Sequence, residues 1–306
     1  MKGLERDGRN YPQTKIHAQA SGRHSIPDPS ADNPEPPPGA PMQQLPADIR
    51  DIVCPDPGEV WVKWDWSNIE TWLLAELAQD APLLTAREAG WDTPVINYCD
   101  MFGVLYPPNL ANPHTSPECA EWRAAIGWAG KDDVRRVFAK RGVYRTHYRG
   151  DTRRAGDIPG ASKLGLNAGR VSQALSRYLA SHPAIVEFWR SSDAEVRATG
   201  LTRTFLGRPR RLLGSGDARF REGTNHRLQG GVADILNRTL IALKDALPAI
   251  RVVWTAHDAG VLGMPAGDLA ENMPVIRRIV GRMWIIGGRE VTFPADYKII
   301  KETTHE

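Results

Sequence analysis

The chain has 306 residues, of which 41% are hydrophobic and 25% charged, with a formal net charge of +3. No apolar run approaches the roughly 18 residues of a membrane helix, the N-terminus MKGLERDGRN has no apolar signal core, and mean hydropathy is −0.41, so membrane, secreted and fibrous classes are excluded. Cys54, Cys99 and Cys119 form no CxxC, which argues against a disulfide scaffold or zinc knuckle and for a cytoplasmic location.

The near-neutral total hides an asymmetry. Lys131 to Ala180 holds 12 Lys/Arg against 4 Asp/Glu, a balance of +8, so the remainder sums to 3 − 8 = −5. Such a concentration suits a polyanionic partner, although a solvated arginine-rich helix face has the same composition.

In chain order, residues 26 to 58 carry ten of the 24 prolines and read as an extended segment. Glu59 to Asp65 alternates Val60, Val62 and Trp64 with Trp61 and Lys63, a strand pattern. Ser67 with Glu70 has capping-box spacing, and Ile69, Leu73, Leu74 and Leu77 continue as a helix. Asp65 therefore falls where a strand hands over to a helix. Residues 80 to 200 read mostly as helix, with breaks near Pro107-Pro108 and Asp157–Gly160. A short ribbon is predicted over 201 to 212 and one long helix from Thr224 to Leu247, stopped by Pro248. Arg251–Ala256, His257-Asp258 and Gly260–Met264 read as strand, turn, strand.

Three sets of residues fit chemistry. Arg136, Lys140, Tyr144 and Tyr148 recur every four residues as one helical stripe: two cations a turn apart can grip a triphosphate, and an aromatic beyond them can stack on a base. An exposed basic helix with two core-packed tyrosines fits the same spacing. Asp65 and Asp258, each at the end of an apolar strand, could hold two divalent ions about 4 Å apart as in two-metal phosphoryl transfer, though each also fits an ordinary turn residue. Carboxylate donors favour Mg²⁺, with Mn²⁺ able to substitute, over zinc. Arg221, Asn225 and Gln229 form a third stripe, suited to nucleic-acid edges or simply a polar helix face.

Taken in order, these segments resemble the polymerase domain of family A DNA polymerases. Asp65-Trp66-Ser67-Asn68-Ile69-Glu70 resembles motif A (DYSQIE), the Arg136–Tyr148 stripe has motif B spacing, and His257-Asp258-Ala259 stands where motif C (HDE) is expected. Thr204–Arg210 resembles TLFGRRR, Arg221, Asn225 and Gln229 match the template-contacting helix, Ser21–Ser25 resembles TGRLS, and Met42–Pro46 resembles LQNIP. The resemblance implies an α+β fold: an antiparallel-sheet palm with a mostly helical fingers subdomain inserted. It divides the chain into a Pro-rich segment (1–58), palm (59–78), fingers (79–200) and palm (201–306).

It further implies template-directed, two-metal addition of deoxynucleotides to a primer 3′-end, with primer-template DNA and dNTPs as partners. Asp65, Asp258 and the Trp66 backbone carbonyl would hold two Mg²⁺. Arg136 and Lys140 would hold the triphosphate, Lys140 taking part in catalysis. Tyr144 would stack by the sugar and base, Tyr148 by the templating base, and Glu70 would exclude a ribose 2′-hydroxyl. Arg23, Arg221, Asn225, Gln229 and His257 would contact primer-template. Two departures stand out. Motif C has Ala259 in place of its second carboxylate, and only 22 residues precede Arg23, so that neither a thumb nor an exonuclease domain is expected before it. The expectation is a distributive enzyme without proofreading, of bacterial or phage-infected cytoplasm. The alternatives are a chain completed by a second polypeptide supplying thumb or exonuclease, or a non-catalytic nucleic-acid-binding subunit.

Overall fold

The computed structural model describes residues 54–150, 156–256 and 258–301. The Ser21–Ser25 and Met42–Pro46 segments, with Arg23, and the side chain of His257 lie outside the described residues. The chain forms two compact units. One comprises Met1–Ile69, Arg203–Pro209 and His226–Glu306, the other Glu70–Thr202 and Arg210–Asn225.

The first unit is built on a four-stranded antiparallel sheet of order β4-β5-β1-β8, from β1 (Glu59–Trp66), β4 (Arg251–Ala256), β5 (Ala259–Pro265) and β8 (Ala295–Lys301). The period-2 pattern of β1 sends Val62, Trp64 and Trp66 to one face, where they are fully buried or nearly so. Helices α9 (Gly231–Ala246) and α10 (Leu269–Val280) belong to this unit, and the Trp66 indole donates to the Val280 carbonyl at 3.2 Å. Trp64 faces Gly260 across the β1–β5 ladder, and its indole occupies the space a Cβ would need, which is why this position is glycine. A short hairpin of β6 (Trp284–Ile286) and β7 (Arg289–Val291) completes the unit. Strands β2 (Leu201–Arg203) and β3 (Pro209–Arg211) pair as a ribbon.

The second unit is helical: α1 (Ile69–Ala78), α2 (Ala81–Glu88), α3 (Thr93–Phe102), α4 (Ala120–Ile126), α5 (Val134–His147), α6 (Ala168–Ser181), α7 (Pro183–Thr199) and α8 (Gly216–Asn225). Local chemistry sets their starts. Asp80, Asp92, Asp133 and Asn167 each accept a backbone N–H of the first turn of α2, α3, α5 and α6. Part of its core is Val95, Cys99, Trp122 and Trp128, with Tyr98 against them. Among the described residues, no helix is long and apolar enough to cross a membrane.

Three expectations are corrected. The long helix from Thr224 is α8 and α9 joined by a π-helical turn, His226–Gly230, and helix already begins at Gly216. Tyr148 is the C-cap of α5 rather than a member of it. Ser67 Oγ donates to the Asp296 carboxylate at 3.0 Å, and Asn68 takes a left-handed φ of 55°, so Ser67 is engaged away from the first turn of α1.

Candidate active site

In the first unit, strand register assembles the acidic group. Asp65, next to last in β1, stands opposite Ala259 on β5 and Asp296 on β8. The Trp66 N–H donates to the Asp258 carbonyl at 3.3 Å, so the Asp258 turn is tied to the end of β1. Asp65 and Asp258 thus reach one end of the same sheet. The Asp65 side chain is half exposed and lies 3.7 Å from the Lys63 ammonium, two residues back on the same face. Ala259 is buried, and it fills the position facing Asp65 with a methyl group.

This donor set suits a hard divalent ion. Carboxylate oxygens are the donor type that an ion such as Mg²⁺ prefers, with water completing its coordination. Among the described residues, no group of three or more His, Cys, Asp or Glu could hold a metal ion.

Gln229 also belongs to this unit, within the π-helical turn. The extra residue per turn changes the phase between Asn225 and Gln229, so the i, i+4, i+8 stripe does not continue as one helical face. The Thr204–Arg210 segment has a structural task that spacing did not reveal. Thr204 Oγ1 and Arg208 Nε each reach the nearly buried Asp234 carboxylate of α9 at 2.6 Å, and Arg208 Nη2 donates to the Gly230 carbonyl at 3.1 Å. Asp234 thereby fastens the ribbon's tip to the start of α9.

In the second unit, the tyrosines of the basic stripe converge on Glu70. The hydroxyls of Tyr144 and Tyr148 both donate to the Glu70 carboxylate, and their rings stand edge to face, 5.1 Å between centroids. Glu70 is buried, whereas Tyr144 keeps 41% exposure. Two neighbours anchor Tyr148. His147 Nε2 lies 2.8 Å from the Tyr178 hydroxyl of α6, and Arg149 Nη1 pairs with Asp193 of α7 at 2.6 Å. Burial, with the nearby His182 imidazole, pushes His147 down to about 3, so it is neutral near pH 7.

Tyr148 also lines a cleft of about 410 Å³ with Gly150, Ala218, Arg221, Glu222 and Asn225. Two stripes that are far apart in sequence therefore share one wall. Among the described residues, the buried Asn225 Oδ1 has no hydrogen-bond partner. Arg136 lies half-buried on α5 and is paired with Asp92, while Lys140, one turn on, is exposed and makes no ion pair among the described residues. Asp92 was not singled out from sequence. The only signal was an Asp before Thr-Pro, which marks a helix start rather than a functional contact.

No family model matches the chain. Individual relatives do. It is 23% identical to DNA polymerase I of Streptococcus pneumoniae (strain ATCC BAA-255 / R6) over 243 residues, covering 75% of this chain and 25% of that protein. It is 26% identical to the thermostable DNA polymerase I of Thermus thermophilus over 282 residues, 89% of this chain and 30% of that protein. DNA polymerase theta of Mus musculus matches at 24% over 68% of this chain and 7% of that protein. The chain thus spans about a quarter to a third of the polymerase I sequences it matches. Among solved structures, the POL domain of Pol1 from M. smegmatis, in complex with DNA primer-template and dNTP, superposes with a TM-score of 0.75 at 20% identity, covering 98% of this chain and 49% of that one. The α+β fold of antiparallel sheet and helices is that of a polymerase I polymerase domain.

Proposed function

Starting from the homology of this chain, over most of its length, to the polymerase domain of family A DNA polymerase I, we propose that it catalyses template-directed addition of deoxynucleotides to a primer 3′-end. The observation that carries this reading is the placement of Asp65 and Asp258 at one end of the palm-like sheet, in a chain that holds the remaining polymerase motifs in order.

In this reading Asp65, Asp258 and the Trp66 carbonyl hold two Mg²⁺ ions, with Mn²⁺ able to substitute. Bound there, such ions would supply positive charge for the reacting phosphates and would favour deprotonation of the primer hydroxyl. The chain's own groups do the positioning. Arg136 and Lys140 bind the triphosphate through charge-assisted hydrogen bonds. Glu70, fixed by the Tyr144 and Tyr148 hydroxyls, keeps a carboxylate where a ribose 2′-hydroxyl would have to fit. Tyr148, Arg221 and Asn225 present a ring, a cation and an amide side chain to the template side of the duplex end, and Arg23, Gln229 and His257 add primer-template contacts. Holding the reactants in register is most of what phosphoryl transfer requires of a protein.

One observation favours a second reading, a non-catalytic nucleic-acid-binding subunit: Ala259 removes the acidic group that motif C places against Asp65. Primer extension with purified chain, dNTPs and Mg²⁺ or Mn²⁺ separates the two. Extension abolished by Asp258→Asn supports the polymerase, whereas tight primer-template binding without extension under either ion supports the binding subunit.

A further inference from the structure

Arg136 is not held by the helix that carries it. Its guanidinium meets the Asp92 carboxylate side-on, with Nε 3.2 and 3.1 Å from the two oxygens and Nη2 3.1 Å from Oδ2. Asp92 in turn receives the Val95 N–H at 3.3 Å, as N-cap of α3, and lies 3.0 Å from His114 Nε2. The other nitrogen of His114 settles its tautomer. Trp128 Nε1 donates to His114 Nδ1 at 3.1 Å, and an indole nitrogen only donates, so Nδ1 is the acceptor and Nε2 carries the proton given to Asp92. The His114 ring stacks on Trp128 at an interplanar angle of 20°, and Trp128 belongs to the buried Val95–Cys99–Trp122 cluster.

The Asp92 carboxylate is therefore met from two sides: from the core Trp128 donates to His114 and His114 donates to Asp92, and from outside Arg136 donates to Asp92. These side chains are 5% exposed at His114, 12% at Asp92 and 22% at Arg136. The geometry also decides which edge of Arg136 is spent. Nε and one N–H of Nη2 face Asp92, and Nη1 gives a long 3.3 Å bond to the Lys131 carbonyl. The outer Nη1/Nη2 edge retains an N–H on each nitrogen, the fork that grips a second oxyanion. Burial alone would raise the Asp92 carboxyl, but the hydrogen bonds from Arg136 and His114 and the charge of Arg136 outweigh it and hold it below its usual value, so it is an anion throughout the neutral range.

We infer that Asp92, backed by His114 and Trp128, is a positioning residue that fixes the guanidinium of Arg136 with its outer edge presented to a nucleoside triphosphate. The inference rests on the proposed reading of Arg136 as a triphosphate ligand. Asp92→Asn is the sharpest probe, because asparagine still caps α3 but loses the charge and the side-on pairing.

The test measures KM and kcat for dNTP, the Kd of primer-template, and the Kd of inorganic tripolyphosphate by calorimetry, with thermal unfolding as the check on folding. Asp92→Asn is expected to raise KM and the tripolyphosphate Kd about tenfold, the scale of one charge-assisted hydrogen bond, while primer-template affinity stays unchanged. In the Arg136→Ala background, Asp92→Asn should add no further loss, because Asp92 acts through Arg136. His114→Phe should reproduce a smaller part of the defect and His114→Gln restore it, which keeps the test available if Asp92→Asn does not fold. Unchanged or tighter tripolyphosphate binding in Asp92→Asn, or full additivity with Arg136→Ala, would overturn the inference. If the unmodified chain fails to extend primers yet shows Arg136-dependent tripolyphosphate binding that Asp92→Asn weakens, the polymerase reading falls and the positioning role stands.

Discussion

Gly260→Ala is the single methyl group from which the largest effect is expected. An ideal Cβ at this position would lie 2.0, 2.4 and 2.5 Å from Cη2, Cζ2 and Cζ3 of Trp64, inside the ring's van der Waals envelope. Trp64 is fully buried and cross-strand from Gly260, and its ring stands edge-on to Trp66 with centroids 6.1 Å apart, so the indole has no solvent route of escape. Overpacking of this kind costs about 1–3 kcal/mol when the neighbour can adjust, and a rigid indole between strands belongs at or above the top of that range. Against a total stability of about 5–15 kcal/mol, about 3 kcal/mol is a large share. Urea unfolding followed by far-ultraviolet circular dichroism measures it. Trp64→Leu should also destabilise, by about 3 kcal/mol through a cavity, but the double variant should recover at least about 1.5 kcal/mol relative to the sum, because leucine vacates the space the new methyl needs. A Gly260→Ala cost below about 0.5 kcal/mol, or strict additivity in the double variant, would refute the packing argument.

Three further predictions follow from the site. His147 resists protonation until about pH 3, whereas the unfolded chain takes up that proton near 6.5, so the stability its neutral imidazole contributes is complete above pH 6.5 and is lost as pH falls through that window. Urea midpoints at pH 7 and 5 should differ accordingly, by up to about 1.4 kcal/mol per pH unit, and His147→Phe should flatten the slope; an equal slope in that variant contradicts the assignment. The unmodified chain should accept dideoxynucleotide terminators readily, and Tyr144→Phe, which deletes one of the two hydroxyls on Glu70, should cut dideoxy relative to deoxy incorporation about tenfold; an unchanged ratio in competition assays denies the hydroxyl a role. Ala259→Glu sets a carboxylate opposite Asp65, so it should lower the melting temperature without divalent ions and gain more from added Mn²⁺ or Mg²⁺ than the unmodified chain does. Equal ion response in both would show that position 259 does not face the metal-binding end.

The parts legible from sequence were those with a strong local period. Alternation in Glu59–Trp66, the turn at Asp258 and the four-residue repeat of the basic stripe each follow from backbone geometry, and the structure holds strand, hairpin and helix there. β8 was missed because Ala295–Lys301 mixes Asp296, Lys298 and Lys301 with Tyr297, Ile299 and Ile300, and pairing with β1 rather than composition makes it a strand. The π-helical turn was missed because nothing in His226–Gly230 marks an extra residue per turn. Asp92, Asp234 and the Glu70–tyrosine bonds were invisible for a third reason: each joins residues 26 to 78 positions apart, and only the folded packing selects the partner.

The most direct measurement of the central claim is single-nucleotide insertion on four primer-templates that differ only in the templating base, with each dNTP offered alone in Mg²⁺ and in Mn²⁺. The account predicts insertion of the complementary nucleotide on every template, lost together in Asp65→Asn and Asp258→Asn. Insertion that ignores the template, or that survives both substitutions, would contradict it.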